Sequence, residues 1–170
     1  MRPAAKASGL RDAGRARSEG DVLADTVASY LRRAAEWLAD YWDAAAKGRG
    51  TAPNHLFYAG EAIMLAVLAS EGIHVGRGEQ HQLDVAIRKL PDENPMKAAM
   101  LPYEGLTRFA TTFRYPTPQG RLKRAEAEEV AGYADAVDKA HQLAVAHYRV
   151  DVSSGSNAPA ANVQPPRHPP

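Results

Sequence analysis

Along three long stretches of the chain, apolar residues recur at every third or fourth position. Residues that stop helices lie between those stretches. The first runs from about 21 to 47, where Leu23, Val27, Tyr30, Leu31, Ala34, Leu38, Tyr41, Trp42 and Ala45 make one stripe. Asp21 and Asp25 suit the positive end of a helix dipole, and Gly48 marks the stop. The second, 55–71, is apolar nearly all round and predicts the most buried helix, with Asn54 as its N-cap and Gly72 at its end. Gly60 inside it costs about 1 kcal/mol against alanine unless it serves close packing, so a crossing element is expected there.

The pattern then shortens. Leu83, Ile87 and Leu90 predict a short helix over about 80–90 that Pro91 ends. Asn94 followed by Pro95 reads as a cap with proline at the first helical position. Pro102 predicts a kink or break soon after, while Leu106, Phe109 and Phe113 continue the stripe. The last stretch, 123–148, places Val130, Tyr133, Val137, Ala140, Ala144 and Tyr148 on one face, with Glu126, Glu128 and Glu129 early in the helix. No useful run of strand-like alternation and no repeat occurs. The expected fold is all-α, an up-and-down bundle of four main helices plus one short helix.

Composition adds boundaries. With 170 residues, 45% hydrophobic and 24% charged, the chain suits one globular domain. Residues 1–20 hold five basic residues against two acids and almost no large aliphatics, so they are expected to be a disordered basic arm. Residues 149–170, rich in proline, are expected to be a disordered tail, which leaves 21–148 as the bundle. The absence of cysteine excludes disulfides, thiolate zinc sites and a cysteine nucleophile. No run is long and apolar enough to span a bilayer, and the first residues lack a secretory signal, so a cytoplasmic protein without membrane association is expected.

Charge is unevenly placed. The formal net charge is only +1, yet from Gly105 to Ala125 there are five basic residues and no acid. Arg108, Arg114, Arg121, Lys123 and Arg124, with Tyr115, are therefore candidates for holding a phosphate or nucleotide, because arginine presents a planar fork of donors and tyrosine a stacking face. The alternative is structural: Arg114 caps the preceding helix, Tyr115 packs and Pro116 stops the helix. Glu61 is the only acid in the second helix and needs a partner, either an arginine of another helix or a groove that it lines with Tyr58. His81, opening the third helix, makes a structural hydrogen bond or transfers a proton. His74, Glu79 and His81 match no familiar metal site, and no metal is expected. His141 and His147 read as surface residues.

In order, these elements resemble a HEPN domain over about 22–148. They are the aromatic end of the first helix (Tyr41-Trp42), Ala59-Gly60-Glu61-Ala62 closing with Glu71-Gly72, His81-Gln82-Leu83, and Arg114-Tyr115-Pro116 before the last helix. The resemblance implies a homodimer that acts with a protein partner such as a minimal nucleotidyltransferase, and a nucleotide- or RNA-associated role with no cofactor beyond a bound nucleotide. Active members of that family are ribonucleases that use an arginine followed four to six residues later by histidine. Here neither Arg108 nor Arg114 has that histidine. Arg49 and His55 have five residues between them but lie before the second helix, and Leu65 stands where relatives often carry lysine. The reading is therefore a binding module that is not strongly catalytic. Two alternatives stay open. One is a metal-independent ribonuclease of the toxin–antitoxin type using Arg114 and His81; the other is a purely structural dimerisation bundle.

Overall fold

In a computed structural model the described residues are 18–110 and 125–153, and all their regular structure is helical. Helix α1 spans Glu19–Ala46, α2 Ala52–Ser70, α3 Leu83–Arg88, α4 Pro95–Met100 and α5 Ala127–Tyr148. A 3-10 helix, Leu101–Phe109, follows directly on α4. The described residues are all-α, as expected, and among them are three long helices, two of six residues and one 3-10 segment, where four main helices and one short were expected. Pro102 gives the reason. It has no N–H for an i to i−4 bond, so the fourth helix tightens into 3-10 geometry one residue before it. None of the described helices is long and apolar enough to cross a membrane.

The chain forms α1 because its stripe buries Val27, Leu31, Ala34, Leu38, Tyr41 and Ala44. It begins two residues earlier than the composition suggested, since Ser18 and Asp21 make a reciprocal capping box (Asp21 N to Ser18 Oγ, 3.2 Å; Ser18 N to Asp21 Oδ2, 3.0 Å). Trp42, counted in the apolar stripe, instead points outward and is 50% exposed; Ala44 rather than Ala45 faces the core. Gly48 and Gly72 end α1 and α2 with φ of 63° and 68°, the left-handed conformation that only glycine adopts without strain.

Helix α2 runs back along α1, with Trp37 against His55 and Tyr58 at one end. It is the most buried element, as expected. Asn54 is not its N-cap. The helix starts at Ala52 behind Thr51, Pro53 takes an early position, and Asn54 sits inside the first turn with its amide buried. Tyr103 of the 3-10 helix crosses α2 at Gly60, where an added Cβ would lie 3.1 Å from the ring. The close-packing reading of that glycine is thus correct.

Helix α5 lies antiparallel to α1, with Val130, Ala134, Val137, Ala140, His141 and Ala144 inward. His141 is a correction to the surface assignment: it is buried, and its Nε2 lies 3.0 Å from the Leu31 carbonyl of α1. His147 is exposed. Residues 125 and 126 precede α5 as non-helical chain, so the helix starts after 123. Helix α3 has no capping side chain of its own; the Thr107 hydroxyl accepts from Leu83 N at 2.9 Å and donates to Asp84 Oδ1 at 3.2 Å. Asn94 does cap α4, its Oδ1 accepting from Met96 N at 2.8 Å.

Candidate functional site

Burial of α2 is interrupted along one line. His55, Tyr58, Glu61, Leu65 and Ala69, spaced three or four residues apart, are each partly exposed, while the positions between them are buried. The line, with Ser70 at the end of the helix, is the partly exposed face of α2. Trp37 of α1 flanks its first turns, with ring centroids 5.7 Å from His55 and 5.0 Å from Tyr58, tilted by 35° and 34°. Phe57 meets Tyr58 edge-on at 5.3 Å and braces the set from the core side.

Glu61 lies one turn further along. Its side chain is only 13% exposed, and its Oε1 is 2.6 Å from Nδ1 of His81, whose side chain is 63% exposed. Of the two readings of this carboxylate, an arginine partner or a groove shared with Tyr58, the arginine is not found: the partner is His81, and Tyr58 lies one turn away on the same face. The reason is topological. The segment between α2 and α3 folds back, so that residue 81 stands beside the middle of α2, with its ring 6.4 Å from Phe57. Burial pushes the Glu61 carboxyl above its ordinary range, and the hydrogen bond and charge of His81 pull against that rise.

The same segment is held by a second clamp. Glu79 Oε2 accepts from Lys89 Nζ at 2.5 Å and from Gly76 N at 3.3 Å, which holds its carboxyl below the usual range. Glu79 and His81 therefore face different partners. Among the described residues no group of three or more histidines and carboxylates is arranged for a metal ion.

Beyond Glu61 the line becomes apolar. Leu65, Leu68 and Ala69 of α2, Tyr30 of α1, and Ile73 and Val75 border a groove of about 460 Å³. At the other end, Asn54 Nδ2 donates to the Phe109 carbonyl at 2.6 Å, which ties the first turn of α2 to the last residue of the 3-10 helix. Among the described residues, Asn54 Oδ1 and His55 Nδ1 are buried with no hydrogen-bond partner. Arg108, the first member of the basic stretch, pairs with Glu129 of α5, and its guanidinium stands 5.0 Å above the Phe109 ring. Arg114, Tyr115, Arg121, Lys123 and Arg124 lie outside the described residues.

The structure therefore brings Tyr58, Glu61 and His81 onto one surface, while Arg108 is held by Phe109 and Glu129. Two members of that surface, Trp37 and His55, were not singled out as groove residues from sequence. Trp37 sits at the edge of the α1 stripe, three residues after Ala34 and four before Tyr41. That is the one signal that could have placed it beside the exposed line of α2. Comparison with protein-family models, with curated proteins and with solved structures gives no match to the chain.

Proposed function

We propose that this chain is a HEPN-like helical bundle that binds a nucleotide or single-stranded RNA and works with a protein partner such as a minimal nucleotidyltransferase, as a homodimer. The observation that carries the binding role is the aromatic set Trp37, His55 and Tyr58, partly exposed beside one face of α2 and followed by the Glu61–His81 pair. Partly exposed rings held by packing give bases a face to stack on, worth about 1–3 kcal/mol per base. Unstacked RNA bases are taken up on tryptophan, tyrosine and histidine in this way.

Charge supports the same location. The acid-free stretch from Gly105 to Ala125 begins in the 3-10 helix, and the Asn54–Phe109 hydrogen bond fastens the end of that helix one residue from His55. A stretch with five basic residues and no acid suits an anionic ligand such as a nucleotide or RNA. The partner and the dimer rest on the sequence resemblance alone.

Trp37 and Trp42 are the chain's two tryptophans, so Trp42→Phe isolates the Trp37 signal. Titrating that variant at low salt with adenosine monophosphate, and then with a short single-stranded RNA, should quench Trp37 fluorescence saturably. Adding Tyr58→Ala should weaken binding about tenfold, equivalent to about 1.4 kcal/mol, with unchanged helical circular dichroism. Absence of quenching by either ligand, or an unchanged affinity after Tyr58→Ala, would overturn the proposal.

A further inference from the structure

The Glu61–His81 contact has a form that packing alone does not require. Glu61 is the only acid of α2, the most buried helix, and stands between buried Gly60 and Ala62. Removing most of a carboxylate from water is unfavourable unless it gains a strong partner. The partner it gains is a mostly exposed histidine, and only one of that ring's two nitrogens is used. An ionised carboxylate only accepts hydrogen bonds, so it fixes the proton of a neutral imidazole on Nδ1 and leaves the lone pair on Nε2. An imidazole oriented by a carboxylate on one nitrogen, with the other open, is the arrangement of a general base and its positioning residue.

We infer that Glu61 and His81 form a proton-transfer pair at the proposed ligand surface, His81 taking a proton from a water or an alcohol hydroxyl of the ligand and Glu61 positioning it. In that step the O–H bond breaks, an N–H bond forms at Nε2, and the electron pair stays on the oxygen as an alkoxide or hydroxide. The positive charge on the ring is balanced by Glu61, which remains ionised. Glu61 stands one turn from Tyr58 on the same partly exposed face of α2 and holds His81 there, so the ring lies beside the stacking set where a ligand hydroxyl could reach it. This inference rests on the binding surface proposed above, and the test separates the two.

The full chain is labelled with nitrogen-15 at histidine, and the imidazole nitrogens are followed by NMR near neutral pH, with His81→Gln assigning the His81 signals. The wild type should show His81 protonated at Nδ1 with a bare Nε2, and Glu61→Ala should lose that tautomer. Adenosine monophosphate should shift His81 Nε2 and leave the exposed His74 and His147 unmoved. A His81 protonated at Nε2 in the wild type overturns the pair. So does a nucleotide that quenches Trp37 without shifting His81 Nε2, and in that case the binding surface stands. A nucleotide that neither quenches Trp37 nor shifts His81 overturns both.

Discussion

Replacing Gly60 with alanine is the sharpest test of how α2 is packed. In an unobstructed helix interior this exchange stabilises by about 1 kcal/mol through helix propensity. Gly132 of α5 is such a place: it is exposed, and an added Cβ meets nothing within 4 Å. At Gly60 the new methyl lands 3.1 Å and 3.3 Å from two ring carbons of Tyr103 and 3.5 Å from Leu106. Tyr103 cannot yield easily. It is fully buried, its hydroxyl reaches the Gly60 carbonyl at 3.4 Å, and burial raises its ionisation well above the ordinary tyrosine range. Forcing a methyl into such a core costs about 1–3 kcal/mol. The propensity gain offsets part of that, so Gly60→Ala should be about 0–2 kcal/mol destabilising, whereas Gly132→Ala should stabilise by about 1 kcal/mol. Urea unfolding followed by circular dichroism reads both, with the change taken from the midpoint at constant slope. In a Tyr103→Leu background the clash is relieved, and the coupling between the two positions should reach about 1 kcal/mol or more. Equal stabilisation at both glycines, or no coupling to Tyr103, would refute the crossing as described.

Other consequences follow from single contacts. Folding lifts the Glu61 carboxyl above its unfolded value, so that group's contribution is present below the ordinary range near 4.5 and is lost as pH rises through the folded value. Glu61→Gln should therefore gain stability relative to wild type between acid and neutral pH, as measured by urea midpoints across that range; a constant difference would contradict it. Asn94→Ala removes both the α4 cap and a 2.7 Å hydrogen bond to Glu71 and should cost about 1–2 kcal/mol by the same unfolding assay. Arg108→Ala breaks a mostly exposed pair with Glu129 and should change stability by less than about 1 kcal/mol. If Arg108 also meets phosphate, that variant should lower the salt slope of RNA binding by about one, read by fluorescence titration at several salt concentrations.

The long helices were legible because their burial is amphipathic and local: α1, α2 and α5 each repeat at helical spacing, and Asn94-Pro95 and Pro102 act within one turn. Errors arose where a distant contact decided the outcome. Asn54 looks like a cap, but Pro53 and Thr51 already start the helix, which frees the amide for Phe109. His141 looks like a surface residue until α1 brings the Leu31 carbonyl to it, and Trp42 sits near enough to the stripe in sequence to pass as core. The site follows the same rule. Glu61 advertised itself as a lone acid in an apolar helix, but its partner comes from 20 positions away. The pairing of Trp37 with His55 and Tyr58 depends on the register of α1 against α2, which spacing within one helix does not encode.

The binding surface is tested most directly by ultraviolet cross-linking of the full chain to a short single-stranded RNA, with the linked peptides located by mass spectrometry. Stacking on the open line of α2 predicts cross-links on the peptide carrying Trp37 and on the one carrying His55 and Tyr58, both lost on Tyr58→Ala together with Trp37→Ala. Cross-links confined to Trp42, Tyr148 or other positions away from that line, or none at saturating RNA, would contradict it.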